Sequence, residues 1–358
     1  MSREVTTHNK LINRAILISG LVFLTSMFLG YYLLKDRDAT SIWRTLLVNY
    51  LFFTSATAGL TVWPAIVLIS NGKWMGSLEK LSQAGISFSL PSLIVLFILY
   101  KNSPEWAPWY SSSKPWLDNT FLFSRNMILQ VIFWLFAVAF LFSRRKGNNT
   151  VLAGILILWY VITFSVAGFD FVMALDPEWH SMMMGGYFFT SALYIALALW
   201  ALLAVFMRPA EKSALHDIGN LTIAFCMLTS YLMFSQLLPI WYENMPEETR
   251  FLVGRMNLAW KYISMALLVL VYLGPVLFLL NRWVKENRIY MGVISLLILT
   301  GMWIERWWLV SAELSRHKIE FGLPDILVTA IFISLTIGGI FTGLRFFKEP
   351  APLKTSNA

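Results

Sequence analysis

Two acidic residues lie deep inside long apolar stretches of this sequence, and they are the first candidates for chemistry. Asp170 lies 19 residues into a stretch that begins near residue 151, and Glu305 lies 15 residues into one that begins near residue 290. At 1.5 Å per helical residue, these positions lie about 28 and 22 Å along their helices. A carboxylate in a membrane helix is expensive unless it is paired, and it commonly marks a functional site. Both residues are therefore candidates for proton transfer.

Other polar side chains are expected at the same depth. Arg306 directly follows Glu305, so it can pair with Glu305 or with Asp170 and hold the carboxylate ionised. The full set of candidates at this level is Arg125, His180, Gln236, Glu243, Lys261 and Arg306. The structural alternative has two parts. The basic residues could extend their charged groups to the membrane interface, and oppositely charged residues could form ion pairs that hold helices together.

The elements that must position these residues are membrane-spanning helices. The chain has 358 residues, of which 58% are hydrophobic and only 13% charged, and its mean hydropathy is +0.64. This composition excludes a soluble enzyme, a disordered chain and a coiled coil. A span needs roughly 20 apolar residues. Ten stretches qualify, at 12–34, 45–70, 80–100, 121–142, 151–173, 184–207, 218–241, 258–280, 290–310 and 325–344.

The loop charges predict the orientation of these spans. Loops on the side of the N-terminus carry 15 Lys and Arg residues, and loops on the other side carry 8. The positive-inside rule therefore places both termini in the cytoplasm. Asp170 and Glu305 are then expected near the outer surface.

Several cofactor classes are excluded by composition. The single cysteine, Cys226, cannot support a disulfide framework, a cysteine-ligated metal site or an iron–sulfur cluster, and no attachment motif for covalent haem occurs. All four histidines fall outside the spans or at their ends, so a bis-histidine haem b in the bilayer is not expected. No phosphate-binding loop motif of an ATPase occurs. No Asp, Glu, Lys or His is expected in the cytoplasmic half of any span.

Two long motifs resemble a known family. The run Phe169–Ser181 reads FDFVMALDPEWHS, and the run Phe234–Thr249 reads FSQLLPIWYENMPEET. With the segments around His216 and Lys114, they are similar to the second quinone-binding-type membrane subunit of alternative complex III, a bacterial quinol:cytochrome c oxidoreductase. That subunit belongs to the NrfD-like family of polysulphide reductase membrane subunits. The sequence departs from the family at Glu305-Arg306, where an Asp and an apolar residue are usual.

The resemblance implies an all-α integral membrane protein with ten transmembrane helices. Two four-helix bundles, residues 45–173 and 184–310, are flanked by the helices 12–34 and 325–344. It also implies a bacterial inner membrane location, quinone or quinol (menaquinone the expected form) and no bound metal. The implied partners are a sister NrfD-like subunit, multihaem cytochrome c subunits and an iron–sulfur subunit, which hold the haem c and the clusters.

The function implied by the resemblance is that of a subunit that is not catalytic alone. It would support quinone interaction or proton translocation near the outer face, with Asp170, aided by His180, as the proton acceptor. Composition and ten spans equally permit a secondary transporter, although transporters usually place polar ligands at the membrane midplane. A third reading is a purely structural anchor for redox subunits.

Overall fold

The computed structural model describes residues 2–34, 39–72, 74–76, 78–112, 114–147, 149–207, 211–315 and 319–346. These ranges contain helices and no β-strand. Ten helices are long and apolar enough to cross a membrane, which confirms an all-α integral membrane protein. They are α1 (Ile12–Leu33), α2 (Ala39–Ile69), α3 (Leu78–Lys101), α4 (Asn119–Arg144), α5 (Thr150–Leu175), α6 (Met183–Phe206), α7 (Lys212–Glu243), α8 (Trp260–Leu279), α9 (Arg288–Leu314) and α10 (Leu323–Phe346).

The end of the bundle at which α1 begins is called the N-terminal face, and the other end the opposite face. Because consecutive spans alternate in direction, α2 and α4 begin at the opposite face, while α5 and α9 end there. Some of the loop charges counted in the sequence lie outside the described residues, namely Lys35, Arg37, Lys73, Arg208, Arg316, Lys318, Lys348 and Lys354.

For description, helices α2 to α5 are named the first helix group and helices α6 to α9 the second. Helices α2 to α5 pack on one another, as do α6 to α9, and the groups meet where α2 contacts α6 and α9 and where α5 contacts α6. Helix α10 packs on α2 and α3, and α1 packs on α10. Of the most apolar stretch of α2, 89% is buried, against 11% for α1. Helix α2 is therefore the centre of the protein, and α1 is a peripheral helix.

Small residues bring the two groups into close contact. A side-chain carbon added at Gly59 of α2 would lie 2.7 Å from the Cβ of Ala196 on α6. One added at Gly168 of α5 would lie 2.6 Å from the Cβ of Phe188 on α6. Such distances are far inside van der Waals contact, so glycine is required for these helices to approach.

Helix α8 is interrupted by a π-helical turn at Leu268–Leu273, which ends two residues before Pro275. A π-turn adds a residue to a helical turn and rotates the side chains that follow it. Here it accompanies the burial of Val271 and Tyr272 against the neighbouring helices. Short helices at Pro246–Met256 and Arg282–Glu286 flank α8 at its two ends.

Candidate functional site

The first buried polar cluster joins α4 to α5 near the opposite face. Asp170 is 0% exposed, and Arg125 grips it with two bonds, Nε to Oδ2 at 2.7 Å and Nη2 to Oδ1 at 2.5 Å. Asn126 donates a third hydrogen bond to Oδ2 at 2.5 Å. Two parallel bonds from one guanidinium form the strong bidentate arrangement. We call Asp170, Arg125 and Asn126 the Asp170 cluster.

The start of α4 positions this cluster. The side chain of Asp118 accepts a hydrogen bond from the backbone N–H of Phe121 and so caps the helix. Arg125 follows two turns later, with its guanidinium 3.8 Å from the ring centre of Trp116 and 4.7 Å from that of Phe121. These rings cover the cation, whose side chain is 11% exposed. Arg125 therefore links a fully buried carboxylate to the surface.

The second cluster lies in the other helix group. Arg306 donates to Glu305 Oε2 at 2.6 Å and to Ser191 Oγ at 2.7 Å, and the side chains of the ion pair are 0% and 1% exposed. The hydroxyl of Tyr187 donates to the other carboxylate oxygen of Glu305. The Tyr187 and Tyr272 hydroxyls lie 3.0 Å apart. We call Glu305, Arg306, Tyr187, Tyr272 and Ser191 the Glu305 cluster.

The π-turn of α8 shapes the inner side of the Glu305 cluster. It contains Tyr272, and the carbonyl of its neighbour Val271 accepts a 2.9 Å hydrogen bond from Tyr194. The thiol of Cys226 lies 3.3 Å from the carbonyl oxygen of Tyr272. A row of hydroxyl groups therefore extends from Glu305 towards the middle of the span.

A small cavity lined by both polar and apolar residues lies on the inner side of the Asp170 cluster. It has a free volume of about 10 Å³ and is lined in part by Asn126. A volume of this size holds about one water molecule. The Tyr50 hydroxyl and Gln130 Oε1, 3.4 Å apart, are at its wall, as is the Thr54 hydroxyl, which has no hydrogen-bond partner among the described residues.

Phe188 separates the two clusters. Its ring centre lies 4.4 Å from the Arg306 guanidinium, and the residue also lines the cavity beside the Asp170 cluster. Within the described chain, no side-chain hydrogen bond or ion pair joins Asp170 to Glu305. Of the two partners open to Arg306 from the sequence, the structure therefore selects Glu305, while Arg125 pairs with Asp170.

The other residues predicted at this level do not join either cluster. His180, Glu243 and Lys261 are exposed, and in the described part of the chain none has a side-chain hydrogen bond or ion pair. His180 is therefore not a partner of Asp170, whose oxygens are bonded to Arg125 and Asn126. Gln236 is buried, and neither of its amide atoms has a hydrogen-bond partner among the residues described.

The expectation that no acidic residue lies in the half of a span nearest the N-terminal face is wrong. Helix α3 begins at Leu78, before the predicted start, and so includes Glu79. This carboxylate is 3% exposed and accepts bonds of 2.7 and 2.8 Å from Arg144 at the end of α4. Gln83 donates to it at 3.0 Å. The sequence signal for this pair was an acidic residue at the start of one span and an arginine at the end of the following span, because these two ends lie on the same side of the membrane.

No protein-family model matches the chain, and no curated protein is significantly similar to it.

Proposed function

We propose that the chain is a membrane subunit of a bacterial respiratory quinol:cytochrome c oxidoreductase of the alternative complex III type, within the NrfD-like family, and that its role there is proton transfer. The motifs at 169–181 and 234–249 support the family and, with it, an inner membrane location, and the loop charges support an orientation with both termini in the cytoplasm. The partners would be a sister NrfD-like subunit, multihaem cytochrome c subunits and an iron–sulfur subunit.

The observation that carries the proton-transfer role is the position of Asp170. It is a fully buried carboxylate near the opposite face, next to polar groups that lead inward to a cavity with room for one water molecule. Arg125 forms a bidentate ion pair with this carboxylate in the observed arrangement. Proton uptake by Asp170 would follow displacement of the partly exposed Arg125 side chain, which makes Arg125 the gate of the site.

A quinone headgroup does not fit the cavity beside Asp170. Ligand sites for molecules of that size have volumes of roughly 300–1,000 Å³, whereas this cavity has about 10 Å³. The carboxylate oxygens also already accept three hydrogen bonds. The proposed role of these residues is therefore confined to protons.

The first test is purification through a C-terminal tag in mild detergent, followed by a reduced-minus-oxidised spectrum. The chain has no covalent haem motif, so a stoichiometric c-type haem signal must come from partners. A haem-free, monodisperse chain would contradict the respiratory role and favour the transporter reading.

The second test is Asp170→Asn in the assembled complex, compared with Glu178→Gln, which removes an exposed acid near the same face. The amide keeps the size of the side chain but cannot carry the proton. We expect lower proton release and turnover in Asp170→Asn and unchanged values in Glu178→Gln. Unchanged proton release in both variants would refute the role of Asp170.

A further inference from the structure

Lys285 is a buried lysine at the N-terminal face of the bundle. It lies in the short helix Arg282–Glu286 between α8 and α9 and is 6% exposed. Its side chain lies across Gly219 of α7, where an added Cβ would be 2.8 Å from the Cγ and Cδ of the lysine. Its ammonium group donates to Asn220 Oδ1 at 2.6 Å.

This ammonium group has no anionic partner in the part of the chain that the structure describes. Of the two acids nearest in sequence to the contact, Glu286 accepts a hydrogen bond from Arg282 at 2.6 Å, and Asp217, whose side chain is 40% exposed, forms no ion pair with Lys285 among the described residues. The hydrogen bond from Arg282 lowers the pKa of Glu286, so this carboxylate stays ionised and paired. A neutral amide oxygen does not compensate the charge of a buried ammonium group.

The ammonium group is bonded to a residue on an exposed side of α7. Asn220 is exposed, and Ala224, Met227 and Tyr231 continue the same exposed face towards the middle of the membrane. Residues at these spacings share one side of a helix. The missing anion is therefore to be sought among the molecules that surround this helix in the membrane.

Exposed apolar and aromatic residues lie close to Lys285 in sequence at this face. Leu277 and Leu280, close to the end of α8, are 68% and 64% exposed and offer an apolar surface to acyl chains. The exposed rings of Trp283 and Tyr290, with centres 4.9 Å apart, lie near the membrane boundary, where such rings favour the headgroup level. Basic groups between helices at this level bind anionic headgroups.

We infer that Lys285, held by Asn220, binds the phosphate group of an anionic phospholipid at the N-terminal face. The aliphatic stem of Lys285 stays buried on Gly219, and the ammonium group reaches the headgroup level beside Asn220. This site is independent of the respiratory role proposed above, because it uses neither the Asp170 cluster nor the Glu305 cluster.

Native mass spectrometry of the full, delipidated chain in detergent tests this site, with phosphatidylglycerol as the probe. The variants are Lys285→Met, Lys285→Arg and Asn220→Ala, and the control is Lys80→Met, a partly buried lysine near the same face. We expect Lys285→Met to lower the affinity for one phosphatidylglycerol about tenfold, the value of one hydrogen bond to a charged group. Lys285→Arg and Lys80→Met should bind as the unaltered chain does.

If Lys285→Met does not fold, Asn220→Ala still tests the site. Asn220 is an exposed residue, and its truncation removes the group that holds the Lys285 ammonium in position. Its affinity for phosphatidylglycerol should also fall. Equal affinity in all variants would overturn the inference. So would displacement of the lipid by millimolar inorganic phosphate, which would identify a free anion as the ligand. Loss of a co-purifying protein from Lys285→Met with unchanged lipid binding would identify a partner carboxylate instead.

Discussion

The buried pair Glu305–Arg306 allows a quantitative test of the second cluster. Removing one member of a buried ion pair leaves an uncompensated charge and costs about 3–5 kcal/mol. We expect losses of this size for Glu305→Gln and for Arg306→Met, because the side chains of the pair are 1% and 0% exposed. The double variant leaves only Ser191 without its cationic partner, a loss of about 1–2 kcal/mol. The double-mutant cycle should therefore give a coupling energy of at least about 4 kcal/mol.

The chain contains its own reporter for this experiment. Cys226 is the single cysteine and is 0% exposed, so a thiol-reactive fluorophore labels the protein only after the helices separate. Unfolding in mixed micelles with increasing dodecyl sulfate, followed by this labelling, measures the four stabilities.

The matched control is the exposed pair Lys114–Glu178, whose side chains are 52% and 67% exposed and 3.6 Å apart. The corresponding cycle should give no resolvable coupling, since solvent screens an exposed pair. Additive losses for Glu305→Gln and Arg306→Met, or single losses no larger than those at Lys114 and Glu178, would refute the burial argument.

Two further substitutions test the packing that holds the Asp170 cluster. Gly168→Ala should destabilise the protein by about 1–3 kcal/mol in the same assay, because the added Cβ meets Phe188. The control is Gly154→Ala on the same helix, where the nearest atom is 3.8 Å away, and it should be neutral or stabilising. Equal effects of the two substitutions would contradict the steric account. Asp118→Ala should lower the free energy of unfolding by about 1 kcal/mol through loss of the α4 cap. Asp118→Asn, which can still cap the helix, should lower it clearly less. The same decrease in both variants would assign the effect to charge.

The pairing of the buried charges was only partly predictable. Two adjacent residues, Glu305 and Arg306, can join in an ion pair whatever the fold, yet Arg306 could equally have met Asp170. Which pairing occurs depends on how α9 and α4 are rotated about their axes, and that rotation is fixed only by tertiary packing. The same reason explains Glu79–Arg144, whose members are 65 positions apart.

Residues at the level of the clusters were predicted from depth alone, and depth does not determine direction. His180, Glu243 and Lys261 point to the surface. Asn126 and Tyr187 lie beside the two carboxylates, although no charge distinguishes them in the sequence. A neutral polar side chain in a span becomes identifiable only when a partner lies opposite it.

The sequence by itself determined the ten spans and the depth of their rare carboxylates. A helix needs about 20 mostly apolar residues to cross a bilayer, and each charged residue within it raises the free energy of insertion. These constraints act locally along the chain and need no knowledge of the neighbours. The tertiary structure alone decided that Asp170 and Glu305 belong to separate clusters, divided by Phe188, and that Lys285 lies buried across Gly219. Those outcomes depend on how helices distant in sequence pack, and packing follows from side-chain shapes that meet only in the folded protein.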